Sequence, residues 1–358
     1  MVVLQEVFLD DRTAVINREG KPFTGQFIAG VFSGEATYPQ RILEQLNRKK
    51  NKVKRVYLPG DEWVYLKVYC HPATSNSILI KCVKNIVTGL KKQNILKSWY
   101  FVRYSDPDNH LRIRIQTNPD DIVTVVKYFE KRIRSYVEKG IISNLLLDTY
   151  KREIERYGAE TIGYAEDAFN ASSELVLNYL KNISSGASDY SELHLALLSA
   201  DALLEVFFPE YSARIFLLKS IHESMKHEFD DSKQVKMQLD NKYREYSTFI
   251  NNMSKSRSVI TAIAGNKEYN AYLKSLDRLK SNAQLFFPGK LMKLAADIIH
   301  MHLNRLFNEK QRSHEFIIYY LLCKYYLSVK ARKEKELQNF SPAPKRPAIN
   351  KVNEAFFK

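Results

Sequence analysis

Cysteine is scarce in this chain of 358 residues: Cys70, Cys82 and Cys323 are the full set, an odd number with no paired metal-ligand spacing. That excludes a disulfide-stapled scaffold and a zinc ribbon or finger, and it leads us to expect buried or incidental thiols in a reducing compartment. Long apolar runs are also missing. No stretch approaches the ~20 residues that a membrane helix needs, so membrane insertion is not expected. Met1 to Asp11 has neither the basic region nor the apolar run of a secretory leader, and a cytoplasmic protein is the expectation. There is no Walker loop and no dinucleotide fingerprint, so no nucleotide cofactor is expected. Glycine and proline are unremarkable at 12 and 11, and 45% of residues are hydrophobic. Such a chain can bury one large core or two smaller ones.

What is abundant is positive charge. The formal net charge is +15, with a pI near 9.4, which implies an acidic partner or a lysine-rich background. The densest cluster, RKKNKVKR at Arg48 to Arg55, has six basic residues in eight positions and no acid. It could meet an acidic peptide or a nucleic-acid backbone. No aromatic residues interleave to stack on bases, so we read it as a solvated connector and expect no direct nucleic-acid binding.

The most informative stretch is Lys97 to Gln116, KSWYFVRYSDPDNHLRIRIQ, which reads as a β-hairpin. Leu111, Ile113 and Ile115 alternate with Arg112 and Arg114, so a period of two projects both guanidinium groups from one face. Paired arginines are suited to anions, because guanidinium is always charged and forks onto a carboxylate with two parallel hydrogen bonds. Further along, Glu153 and Arg156 are three apart in Tyr150-Lys-Arg-Glu-Ile-Glu-Arg156 and can pair on one face. His300 and Asn304, four apart, share a helix face, with His302 on a neighbouring one.

The hairpin resembles the opening of the C-terminal elimination domain of LanB-type lantibiotic dehydratases, a domain also found in thiopeptide-type bacteriocin biosynthesis proteins. Three more blocks agree in order: Pro59-Gly-Asp-Glu-Trp-Val-Tyr-Leu-Lys-Val-Tyr69, Asp148-Thr-Tyr-Lys-Arg-Glu-Ile-Glu-Arg-Tyr-Gly158 and His300-Met-His-Leu-Asn-Arg-Leu-Phe307. The resemblance covers about Leu58 to Arg332. The resemblance implies removal of glutamate from glutamylated Ser or Thr of a ribosomally made precursor peptide, leaving dehydroalanine or dehydrobutyrine. It implies no cofactor and no metal. The partners implied are the precursor peptide and a glutamylating dehydratase subunit that uses glutamyl-tRNA. By the same resemblance Arg112 and Arg114 form the anion pocket, Arg156 adds a third cation, Glu153 orients it or moves a proton, and His300 is the general acid or base, with His302 as the alternative. Two competing readings stay open: a pyridine-forming cyclase on the same scaffold, and a module that binds a leader peptide or partner without chemistry. Family members often carry an acidic residue just after Phe169-Asn170, where this chain has Ala171-Ser-Ser-Glu174; Ser172 is expected to serve there as a helix cap.

The expected fold is α+β, an antiparallel sheet portion followed by a mostly helical one. Residues 1–57 read as a β-containing leader resembling the end of the glutamylation domain, with apolar runs at Val2 to Phe8, Thr13 to Ile16 and Gln26 to Phe32. Residues 58–334 are expected to form the elimination domain, and 335–358 a loose basic tail. Both a natural small subunit and a fragment of a longer enzyme fit this layout, and Met1 favours the former. Within the domain we expect a strand at Glu62 to Cys70, a helix at Ser75 to Lys92, the hairpin, a helix from Pro119 to Gly140 and a strand at Ile142 to Leu147. Helices are then expected at Thr161 to Phe169, Ser173 to Ile183, Tyr190 to Val206, Ala213 to Glu228, Gln284 to Phe307 and Glu315 to Lys333, with a polar stretch from Asp230 to Arg257.

Overall fold

A computed structural model describes residues 15–16, 22–23, 53–186, 190–229, 232–253, 257–283 and 286–340. The chain divides into two units, residues 1–52 and 53–358. In the first, strands β1 (Val15–Ile16) and β2 (Pro22–Phe23) pair antiparallel. The apolar runs expected at Val2 to Phe8 and Gln26 to Phe32 lie outside the described residues.

The second unit opens with β3 (Val56–Tyr57), which pairs antiparallel with β8 (Tyr150–Lys151). Its main sheet has four antiparallel strands: β4 (Trp63–Cys70), β5 (Ser98–Ser105), β6 (Asn109–Gln116) and β7 (Ile142–Asp148), in the order β5-β6-β4-β7. The hairpin register sets Tyr100 opposite Arg114 and Val102 opposite Arg112. On the other side of β6, Tyr65 faces Arg114 and Lys67 faces Arg112. Alternation does the rest. Leu111, Ile113 and Ile115 are buried with Val64, Leu66, Val68, Trp99 and Phe101 on one face, while both arginines stand on the other among tyrosines.

The apolar face is covered by a helical segment that starts at His71, whose Nδ1 accepts from Ala73 N at 3.2 Å, with Pro72 in the first turn. It runs as α1 (Pro72–Ile78), a π-helical turn (Leu79–Val83) and α2 (Lys84–Lys92). Ile78, Leu79, Cys82, Val83, Ile86 and Leu90 are all buried. Helix α3 (Ile122–Glu138) adds Val125, Phe129 and Ile133 to the same core.

After the short α4 (Ile154–Tyr157) the chain turns at Gly158, whose φ of 84° is costly for any residue with a Cβ. A Cβ there would also meet Thr161 Oγ1 at 2.7 Å and the Phe286 ring at 2.9 Å. The rest is helical: α5 (Ile162–Ser184), α6 (Glu192–Phe207), α7 (Tyr211–Phe229), α8 (Lys233–Asn251), α9 (Arg257–Ala264), α10 (Asn266–Asn282), α11 (Pro288–Leu306) and α12 (Gln311–Phe340). Helix α5 is central, packing against β5, α10 and α11.

The α+β architecture is as expected, with local differences. The helices anticipated at Thr161 to Phe169 and Ser173 to Ile183 are one continuous helix, so Ser172 lies inside it and caps nothing. The polar stretch from Asp230 holds α8, whose Val235, Leu239, Tyr243, Tyr246 and Ile250 recur at helical spacing and are buried or half-buried against the core. Helices α9 and α10 were not anticipated. Helix α12 continues to Phe340, past the expected start of a loose tail, and the rest of that tail lies outside the described residues.

Candidate active site

Strands β5, β6 and β8, helix α4, and helices α5 and α11 enclose a cleft of about 150 Å³. Arg112, Arg114, Glu153, Arg156 and His300 all line it, although they are spread over 189 positions of sequence, along with Tyr100, Tyr104, Tyr150, Lys151 and Asn304.

Arg114 sits deepest. Its guanidinium carbon lies 4.4 Å from the Tyr65 ring centre, 4.7 Å from that of Tyr150 and 5.3 Å from that of Tyr100. Its Nε is buried and makes no hydrogen bond to the protein. A buried guanidinium donor without an acceptor is costly unless a ligand supplies one. Arg112 is held differently: it stacks on Tyr104 at 3.3 Å, and its Nε donates to His110 Nε2 at 3.1 Å. The other ring nitrogen of His110 lies 2.8 Å from Asp108 O, so the network assigns a neutral ring with its proton on Nδ1. Burial lowers the pKa of that ring in the same sense.

Arg156 bridges two carboxylates, with Nη1 3.0 Å from Glu153 Oε2 and Nε 3.3 Å from Asp297 Oδ1. Burial raises the pKa of Asp297, against the pull of Arg156, and its Oδ2 has no hydrogen-bond partner. Glu155, the other acid of this block, pairs with Arg55 at the surface.

His300 is tethered from behind. Its Nδ1 lies 2.8 Å from Oε1 of Glu315, a fully buried carboxylate that also accepts from Gln311 Nε2 at 2.5 Å and Arg312 Nη1 at 2.8 Å. With Nδ1–H donating to Glu315, Nε2 is left as the acceptor. His302 is elsewhere: it is buried between the Ser172 and Ser199 hydroxyls, at 2.8 and 2.7 Å. Burial among apolar side chains, with Arg305 nearby, pushes its pKa down to about 3. Of the two histidines, only His300 reaches the cleft.

The cleft floor is a polar chain. Tyr100 Oη donates to Tyr150 Oη at 2.8 Å, which donates to Glu166 Oε1 at 2.5 Å. Arg152 clamps Glu166 through Nε at 2.7 Å and Nη2 at 2.5 Å. Burial lifts the Tyr100 phenol to about 12, so these tyrosines act as neutral donors. Two arginines of the family-like blocks do not line the cleft. Arg103 spans Ser75, Asn76 and the Arg305 carbonyl, and Arg305 itself is fully buried under Phe169. The sequence reading missed Glu315, Asp297, Tyr150 and Lys151; only Tyr150 and Lys151 had a signal, their place inside the central block.

Residues 63–326 match the family model described as lantibiotic biosynthesis dehydratase C-term, and the chain belongs to that family. The nisin biosynthesis protein NisB of Lactococcus lactis subsp. lactis is 26% identical over 330 residues, 91% of this chain and 31% of NisB. The chain thus spans about a third of that relative's length. The crystal structure of MibB from Microbispora sp. 107891, a tRNA dependent lantibiotic dehydratase, superimposes with a TM-score of 0.63 and 17% identity over 77% of this chain and 29% of MibB. TbtD, a pyridine synthase from thiomuracin biosynthesis, gives 0.59 and 15% identity over 76% of this chain and all of TbtD. These two likenesses concern the fold.

Proposed function

We propose that this chain eliminates glutamate from glutamylated Ser or Thr of a precursor peptide, leaving a dehydroamino acid. The observation that carries the reading is the meeting, in one cleft, of three arginines with a histidine whose free nitrogen is set by a buried carboxylate. β-Elimination from such an ester needs a base for the Cα proton, positive charge or hydrogen-bond donors for the enolate-like oxygen, and a seat for the departing carboxylate. His300 Nε2 takes the proton. The electron pair of the Cα–H bond becomes the Cα=Cβ double bond, the Cβ–O bond breaks, and its electrons leave on the glutamate carboxylate. Arg114 and Arg112 receive that carboxylate, while Arg156, fixed by Glu153 and Asp297, stabilises the carbonyl oxygen.

On this reading a separate activity, using glutamyl-tRNA, installs the glutamyl group, and both work in the cytoplasm. The test is mass spectrometry of the purified chain with a synthetic peptide carrying one O-glutamyl-serine, with and without chelator. Release of glutamate with formation of the dehydro product in both is expected. Binding without release would support the leader-binding alternative, and strict dependence on a divalent metal would contradict the mechanism.

A further inference from the structure

The cleft continues past His300. Tyr104, His300 and Asn304, which bound it on one side, also line the end of a second groove of about 710 Å³. Its walls are the tip of the β5–β6 hairpin, with Ser105, Asp106 and Asn109, and the turn from α11 into α12, between Phe307 and Ser313. The cleft itself holds a group the size of a side chain, so the rest of a peptide substrate has to leave it, and this groove opens from the same residues.

The edge of β5 gives the groove its chemistry. β5 is an outer strand of the sheet, and side chains from α5 and α11 cover its outward backbone groups in turn. Trp99 O accepts from Asn170 Nδ2 at 2.6 Å, and Phe101 N donates to Ser173 Oγ at 3.2 Å. Arg103 N donates to Asn304 Oδ1, and Arg103 O accepts from Asn304 Nδ2, both at 2.9 Å. These are alternate residues, as an antiparallel edge requires. The next residue of the same parity is Ser105, which lies beyond Asn304 and lines the groove. The helical cover of the edge therefore stops where the groove begins.

We propose that the residues flanking the modified side chain of the substrate peptide lie in this groove as an extended strand, continuing the β5 edge at Ser105. Recognition is through the peptide main chain, as in strand addition to an open edge. The groove's side chains give little basis for reading sequence: Asp106 and Glu309 are balanced by Lys310 and Arg312, and Arg312 is already engaged by Glu228 and Glu315. The proposal rests on the elimination reading for the identity of the peptide, and the test separates the two.

The wild-type chain is given fluorescent peptides with one O-glutamyl-serine: a minimal one blocked at both ends, one with three residues on each side, and extended versions with each flanking amide N-methylated in turn. Binding is read by anisotropy and glutamate release by mass spectrometry. We expect the extended peptide to bind at least about 10-fold tighter than the minimal one, and N-methylation at one flanking position to remove most of that gain, as loss of a main-chain hydrogen bond does. Alanine in place of the flanking side chains should change binding less than N-methylation does. Asn109→Trp and Ser313→Trp, on opposite walls, should bring the extended-to-minimal ratio towards one. Affinity independent of length, N-methylation without effect at every position, or tryptophan variants that keep the full ratio would overturn the proposal. Length-dependent, N-methyl-sensitive binding with no glutamate release from any peptide would uphold the groove and overturn the elimination reading.

Discussion

His300 Nδ1 and Oε1 of Glu315 are 2.8 Å apart, and the carboxylate is fully buried behind the ring while the ring itself is one-third exposed to the cleft. The carboxylate fixes which nitrogen carries the proton. In Glu315→Gln the amide group facing Nδ1 can donate as readily as accept, so the ring is no longer held with Nε2 free. We expect glutamate release to fall by roughly 100-fold or more, within the range for losing a positioned acid or base, while peptide binding is retained. A variant releasing glutamate at the wild-type rate would remove Glu315 from the mechanism.

The two hairpin arginines should not be equivalent. Arg112 is stacked on Tyr104 and donates to His110, whereas Arg114 keeps a buried Nε without an acceptor. Arg114→Ala should therefore be the more damaging change, with glutamylated peptide accumulating and release slowed by about 100-fold to 1,000-fold, as when a preorganised donor to a developing anion is removed. Arg114→Lys should fail to restore the rate, because an ammonium cannot reproduce the planar fork among three tyrosine rings. Single-turnover rates on a pre-glutamylated peptide decide both points; equal losses for Arg112→Ala and Arg114→Ala would contradict the distinction.

The hairpin is legible in the sequence because its alternation is strict and one face is apolar. That alternation alone sets Arg112 and Arg114 side by side. Glu315 and Asp297 are not legible, since each is a lone acid in a helix and acquires meaning only where α11 packs beside α12 and α4. The run Asn170-Ala-Ser-Ser173 reads as a break for a related reason. Polar residues inside a helix look misplaced until their partners are known: Asn170 and Ser173 cover the β5 edge, and Ser172 holds His302. Helix α8 was legible as well: Val235, Leu239, Tyr243, Tyr246 and Ile250 keep a helical period, masked by the charged and polar residues that make up most of the segment.

Arg152 and Glu166 form a buried pair, with 12% and 5% of their side chains exposed, and Tyr150 hangs from the same carboxylate. Arg152→Ala leaves that carboxylate without its cation, and we expect a loss of about 3–5 kcal/mol in folding stability. Replacing both residues together, Arg152→Met with Glu166→Leu, should cost less than the single change, since no charge is then left unpaired. Urea unfolding with unchanged m-values is the measurement. A double variant less stable than Arg152→Ala would show that the pair does more than neutralise itself.

His302 should govern acid stability and leave catalysis alone. Ser199 Oγ donates to Leu195 O at 2.6 Å, so it accepts from His302 Nε2–H, while Ser172 Oγ donates to Nδ1. A second proton on this ring would turn the Ser172 hydroxyl from donor to acceptor, and it would sit buried beside Arg305 with no carboxylate against the ring. The folded pKa of about 3 lies below the ordinary histidine value of 6.5, so the unfolded chain binds the proton first as pH falls. The native state therefore loses stability progressively from pH 6.5 downwards, by about 1.4 kcal/mol per unit, or roughly 2 kcal/mol by pH 5. His302→Gln lacks this titration, and its stability should decline less steeply between pH 7 and 5. Its glutamate release at neutral pH should persist, whereas His300→Ala should lower release by roughly 100-fold to 10,000-fold. Thermal melts across that range test the first statement, and identical slopes for wild type and His302→Gln would refute it. Release assays on the two histidine variants test the second, and the opposite ranking would mean that His302, not His300, moves the proton.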